Sequence, residues 1–407
     1  MRSKKIAFLY EVFQFKKLLK QIHSNVKQAD IIFFFPAYHL GGAERVHADI
    51  LETFSQYKTC CFITEKSKND FLKETFYQYT DIIELGAFRS LVYKWYAKKV
   101  AGLINRKKKA IIFGCNSSFF YRVLPHVQNH IKVVDLVHAF SFEYPWAAEK
   151  LSLPVLKKID TRIVLGKKTF DDFKQQYHEE GKDENLLSRI MIIPNKVDTP
   201  DTFPQKPDNP NLKVLFVGRN SSEKRPEIFL EIVKKSYSLQ LPVEFTLIGD
   251  FDELYVSYPN LHIAGSIKEK EKLNQYYLES DLLLITSWRE GFPMVILEGM
   301  AYGVVPVSTN VGEVPEFIND KNQNGWVIQD DSIPLYLNKK TVSLNDFMPC
   351  VDKFIECIAQ SAKNRTQLKI FQMNAYQSVK RDFSAAANRK AYLDMMAING
   401  LDKKYEA

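Results

Sequence analysis

Strand-length apolar runs alternate with helix-length amphipathic stretches along this chain, and the whole alternation occurs twice. The first series is DIIFFFP (30–36), TCCFIT (59–64), AIIFGC (110–115), KVVDLVH (132–138), TRIVLG (161–166) and RIMIIPN (189–195). Runs this short and this continuously apolar suit strands covered on both faces, and the helical material between them supplies the crossovers that parallel strands need. A Pro- and Asp-rich passage, TPDTFPQKPDNPN (199–211), then reads as a linker. The second series follows with KVLFVG (213–218), EFTLIG (244–249), LHIAG (261–265), DLLLITS (281–287) and VVPVST (304–309). The expectation is an α/β protein with two Rossmann-like domains facing a central cleft. Its predicted parts are an N-terminal helical extension (1–28), a first domain (29–198), the linker (199–211), a second domain (212–383) and a C-terminal helix (384–407) packing back on the first domain.

A chain of 407 residues has room for two full cores. Its net charge of +8 is unevenly spread. Residues 1–200 carry 32 Lys and Arg against 21 Asp and Glu, and the remainder carries 24 against 27, so the basic half is expected to face something anionic. Cys60, Cys61, Cys115, Cys350 and Cys357 form no CxxC pair and no zinc-type spacing, which fits a reducing, cytoplasmic compartment. No run reaches the ~18 apolar residues of a membrane span, and the lysine-broken N-terminus lacks a signal-peptide core.

The stretch REGFPMVILEGMAYG (289–303) carries the most chemistry. Glu290 falls just beyond the DLLLITS strand, at the carboxyl end where open α/β sheets bind ligands. Pro293 suits a first helical turn and Gly303 the position after a last one, framing a short helix with Glu298 on its second turn. The start of that helix offers the N–H groups of Met294 and Val295 to an anion, with a carboxylate on either side to accept hydrogen bonds from sugar or ribose hydroxyls. An ordinary strand-loop-helix with a capping Glu is the plainer alternative. Arg219 and Lys224 lie five apart in GRNSSEK, after a strand ending in Gly218, and would supply fixed cations to a leaving diphosphate. The turn Tyr38-His39-Leu40-Gly41-Gly42 is a second glycine-rich helix entry, serving either an anion or simply the turn.

Four segments in order, GGAERV, IIPNKVD, FVGRNSSEKRPE and SWREGFPMVILEGMAYGVVPVSTNVGEVPE, resemble the retaining nucleotide-sugar glycosyltransferases of GT-B architecture that include sucrose synthases and many bacterial polysaccharide transferases. The resemblance covers nearly the whole chain. It implies transfer of a sugar from a nucleoside diphosphate to a hydroxyl of a glycan or lipid-linked acceptor, with no metal and no other cofactor. His138, Arg219, Lys224 and Glu290 take the catalytic roles, and Gly41, Gly42, Gly218, Gly291, Phe292, Pro293, Met294, Val295 and Glu298 the donor-binding ones. Nucleic acid is not an expected partner. His39, His47 and His126 are read as structural. Two departures stand out: Asn195-Lys196 replaces the usual Asn-Gly, and Glu313 replaces the second of two glycines, placing a carboxylate where a diphosphate would be repelled. Epimerase or hydrolase chemistry on the same architecture, and nucleotide-sugar binding without catalysis, are the alternatives.

The N-terminal extension departs further. Phe8, Val12, Phe15, Leu19, Ile22 and Val26 form one helical stripe, and Lys16, Lys17, Lys20 and Lys27 lie opposite. Such a helix either lies in an anionic membrane interface, with the basic run 94–109 adding to the same surface, or docks its stripe on the first domain. The first case would make the protein peripheral on the inner membrane face.

Overall fold

The computed structural model describes residues 2–39, 41–86, 93–142, 144–251, 257–337 and 341–401. The chain divides into two compact units, Met1–Ile193 with Arg389–Ala407, and Pro194–Asn388. Each is built on one parallel sheet.

The first unit has seven strands: β1 Ile31–Phe35, β2 Thr59–Ile63, β3 Asp81–Glu84, β4 Ile111–Cys115, β5 Lys132–Val137, β6 Thr161–Val164 and β7 Ile190–Ile192. Their order is β3-β2-β1-β4-β5-β6-β7, so the sheet changes winding direction between β1 and β4. All residues of β1 and β4 are buried, as their unbroken apolar sequences require. Strand β3 escaped the sequence reading because its four residues, DIIE, include only two apolar ones.

The second unit has six: β8 Leu212–Val217, β9 Val243–Ile248, β10 Leu261–Gly265, β11 Leu282–Ile285, β12 Val305–Thr309 and β13 Trp326–Ile328. Their order is β10-β9-β8-β11-β12-β13, with the winding reversal between β8 and β11. Parallel pairing of Leu282 with Val214 and Leu283 with Leu215 sets those two central strands side by side. Two apolar layers cover the sheet, one around Phe216, Phe229 and Phe354, the other around Leu283, Ile296 and Met300.

Three stretches differ from the sequence reading or resolve it. The passage 199–211 lacks regular structure, yet it is no free tether. Lys206 donates to the Tyr277 and Tyr302 carbonyls at 3.1 and 2.9 Å, the Tyr376 hydroxyl donates to the Pro200 carbonyl at 2.8 Å, and Arg365 reaches the Asn209 carbonyl at 2.9 Å. The second unit thus starts at Pro194, before this strap, instead of after it. The N-terminal helix Arg2–Gln28 docks. Phe15, Ile22 and Val26 are at most 1% exposed in the first unit's core, Leu19 packs against it, and Phe15 stacks on Tyr96 with ring centroids 3.6 Å apart. The membrane-inserted stripe is therefore corrected for these four residues; the side chains of Phe8 and Val12 lie outside the described residues. Finally, the helix Ala385–Ile398 buries Tyr392, Met395 and Met396, and Asn399 beyond it donates to the Thr161 hydroxyl on β6 at 3.0 Å.

Candidate functional site

In the second unit the site is made by the loops that leave β8 and β11, the two strands flanking the winding reversal. Open α/β sheets leave a crevice at that point because the crossovers go opposite ways. The two loops are sewn together. The Thr286 hydroxyl donates to the Lys224 carbonyl at 2.7 Å, the Trp288 indole N–H to the Ser222 carbonyl at 3.0 Å, and the Trp288 amide to the Glu223 carbonyl at 3.1 Å. Arg225, fully buried at the N-cap of the helix Pro226–Ser238, donates back to the Thr286 carbonyl and pairs with Asp330 at 2.6 Å. Its φ of +49 is a left-handed conformation that a non-glycine residue adopts at a cost. That turn carries Lys224 toward β11.

The outcome is a direct ion pair between Lys224 and Glu290, both partly buried, with the Ser287 hydroxyl donating to Glu290 Oε1 at 2.6 Å. Arg219 is exposed and makes no ion pair with any described residue. Glu298 sits in the helix Met294–Ala301 and accepts a hydrogen bond from the buried Tyr277 hydroxyl at 2.9 Å. Pro293 is the N-cap of that helix, one position earlier than its composition suggested, and Met294 and Val295 open the first turn half-buried. Gly303 follows the helix with φ +70.

Phe292 is a core residue. It is 5% exposed and packs on Phe317 and Phe383, with centroids at 5.0 and 5.4 Å, so it anchors the loop to the core instead of lining an open donor site. Gly218 is bound to the sheet through its N–H to the Ile248 carbonyl, and Gly249, φ +146, must be glycine because a Cβ there would lie 1.8 Å from the Gly218 carbonyl oxygen. Gly312, φ +51, is required in the same way. Its Cβ would lie 1.9 Å from the Gly291 oxygen, which also accepts the Glu313 N–H at 2.8 Å. Glu313 itself has φ −81 and ψ −1, an ordinary conformation, so the missing second glycine costs the backbone nothing. Its side chain is fully buried.

In the first unit, His138 follows β5 at the carboxyl end of the sheet, and it is not alone there. His138 Nε2 lies 3.0 Å from Nε2 of His47, a buried residue of the helix Gly42–Thr53 whose ring stacks on Phe35 at 4.2 Å. His47 was read as structural; the structure makes it the hydrogen-bond partner of the candidate catalytic histidine. His47 Nδ1 has no partner among the described residues. A buried N–H without an acceptor is rarer than a lone pair without a donor, so the economical tautomer has His47 donating from Nε2 and His138 protonated on Nδ1. Burial pushes the His138 imidazole down to about 4 and holds His47 well below its usual range, so both rings are neutral at pH 7. Cys115, at the end of β4, completes a group whose ligand atoms lie within 4.8 Å of one another, a soft-metal set rather than one that bridges a diphosphate.

The glycine-rich turn differs from its sequence reading as an open anion cradle. Gly41 is the N-cap of the helix Gly42–Thr53, but the Glu44 carboxylate lies against it, close enough that a Cβ on Gly41 would meet Oε2 at 2.1 Å. Glu44 Oε1 also faces His39 Nε2 at 3.3 Å. Leu40 lies outside the described residues. An Asp-x-Asp step, Asp250-Phe251-Asp252, follows β9. Asp250 accepts the Asn220 N–H at 2.5 Å and Phe251 is buried; Asp252 lies outside the described residues.

Residues 211–344, which hold β8 through β13 and every second-unit site residue above, match the family model described as Glycosyl transferases group 1. The chain carries a group 1 glycosyltransferase domain. Its fold matches GT-B glycosyltransferases over most of its length: HepE of Anabaena, solved with UDP and glucose, aligns at a TM-score of 0.66 and 14% identity over 90% of this chain and 99% of that one. The lipopolysaccharide outer core galactosyltransferase WaaB aligns at 0.64 and 17% identity over 91% and 99%. Among curated relatives, an uncharacterized 41.2 kDa protein in the cps region of Klebsiella pneumoniae is 32% identical over 114 residues, 27% of this chain and 30% of the relative. An alpha-1,4-N-acetyl-D-galactosaminyltransferase of Campylobacter jejuni is 27% identical over 190 residues, 45% of this chain and 51% of the relative. The O-antigen biosynthesis glycosyltransferase WbnH of Escherichia coli is 29% identical over 159 residues, 37% and 43%. The chain thus spans about half, or less, of the curated relatives it matches.

Proposed function

We propose that this protein is a metal-independent, retaining glycosyltransferase that moves a hexose-type sugar from a nucleoside diphosphate to a hydroxyl of a glycan or lipid-linked acceptor in bacterial cell-surface polysaccharide synthesis, at the inner face of the membrane. The observation that carries this reading is the meeting of Lys224 and Glu290 at the winding reversal of the group 1 domain. It joins a cation for a diphosphate to a carboxylate for sugar hydroxyls, and HepE, on the same fold, is a complex with UDP and glucose.

In this reading Lys224 and Arg219 hold the diphosphate, the first-turn amides of Met294 and Val295 add to that charge, Glu298 accepts from the ribose and Glu290 from the sugar. His138 takes the family role of contact with the donor sugar. The C1–O bond to the diphosphate breaks while the acceptor oxygen bonds to C1 on the same face. A phosphate oxygen of the leaving group takes the acceptor's proton, and Lys224 and Arg219 stabilise the charge that develops there. The test is incubation with labelled nucleotide sugars, with and without a membrane lipid extract. Label in a glycan or lipid product supports transfer. Turnover without acceptor points to a hydrolase or epimerase, and retention of label without turnover to a binding protein.

A further inference from the structure

The docked N-terminal helix leaves its lysine face outward, and the helix Tyr93–Ile104 runs beside it. Between them lies a groove of about 720 Å³ whose floor is Leu19, Gly102 and Leu103 and whose walls carry Lys20, Lys98, Lys99 and Arg106. A second groove of about 500 Å³ shares His23, Leu103 and Arg106 with the first and continues to Lys27, Lys107, Lys108 and Lys109. Among the described residues, eight cations therefore line one continuous channel, and no acidic residue does. Trp95, which also lines the first groove, is 41% exposed with Lys99 over its ring at 5.5 Å.

We infer that this channel is a docking surface for an anionic lipid bilayer, seating phospholipid headgroups between the two helices. Charge alone would suit any polyanion. The apolar floor and the exposed Trp95 indole distinguish the surface, because interfacial tryptophans and an apolar seam under a cationic rim suit the headgroup–acyl boundary. Phe15, Ile22 and Val26 are spent on the core, so the contact instead uses the flank of the same helix that carries Lys20, His23 and Lys27, beside Leu19. Gly102 deepens the floor: a Cβ built on it meets no atom within 4 Å. The inference does not depend on the transfer reaction.

The test is co-sedimentation of the full-length protein with vesicles of phosphatidylcholine alone and with phosphatidylglycerol added, across a salt series. The protein should sediment only with the anionic vesicles and be released by salt. Lys98→Glu with Lys99→Glu should weaken binding by at least roughly thirty-fold, since each lysine near an anionic surface is worth about a factor of five. Gly102→Leu fills the floor while favouring the helix, so its melting temperature should hold while its vesicle affinity falls. Equal binding by the lysine variant and wild type overturns the surface, and wild-type binding by folded Gly102→Leu overturns the groove as its seat. Binding to a soluble polyanion such as heparin without binding to vesicles overturns the lipid assignment in favour of an acidic glycan.

Discussion

Lys224 and Glu290 are 66 positions apart and end in one ion pair, because the strands that precede them are neighbours. If Lys224 aims its charge at a departing diphosphate, Lys224→Ala should lower kcat by roughly 10²-fold or more. Steady-state kinetics on a folded variant checks this, and turnover near wild type would remove Lys224 from the mechanism. At the paired histidines, the expectation concerns pH. The unfolded His138 titrates near 6.5 and the folded one near 4, so the unfolded chain binds more protons between those values. Stability should therefore fall as pH drops from about 6.5 to 4, and His138→Gln should flatten that slope in thermal melts. His47→Phe should keep the ring volume but strip His138 of its partner, and a loss of activity larger than the loss of stability would establish His47 as a positioning residue. Lys224 and Glu290 were legible in the sequence because each follows a strand-like run. His47 was not, since a helix residue and a strand end 91 positions apart carry no linear sign of meeting, and the Arg225 turn depends on Asp330, equally remote.

At the scale of elements, the N-terminal helix shows why periodicity finds an apolar stripe without saying what covers it. Burying Phe15, Ile22 and Val26 is worth on the order of 5 kcal/mol by area. Deleting residues 1–28 should thus lower the melting temperature markedly instead of leaving a stable core, and an unchanged melt would restore the picture of a free helix. The strap 199–211 makes a different point. Composition announced a linker there, but composition does not show that Lys206 closes on two carbonyls. Burial brings its amine down to about 7, although the residue as a whole is only half-buried, so water screens part of the effect. The unfolded lysine holds its proton up to about 10.5, which makes stability rise between pH 7 and 10. Lys206→Met should reduce that rise, as read in denaturant melts across the window.

For the whole molecule, both sheets were foreshadowed by eleven apolar runs, while the edge strands were missed, β3 for being short and half-polar and β13 for being only three residues long. If, as proposed, fixed cations take the place of a metal beside the leaving group, activity should survive EDTA. Loss on chelation with rescue by Mg²⁺ would instead bring Asp250 and its Asp-x-Asp step to the centre. The ion pair between Lys224 and Glu290 has a last consequence for selectivity. An empty pocket that supplies its own counter-charge is a poor trap for stray phosphate, which would have to break the pair and leave the carboxylate stranded. A ligand bearing both an anion and a neighbouring set of hydroxyls satisfies the two ends at once. If the donor binds as proposed, the pair works as a coincidence detector: a spent nucleotide, lacking the sugar, meets only half the condition, so the product should be released more readily than the donor.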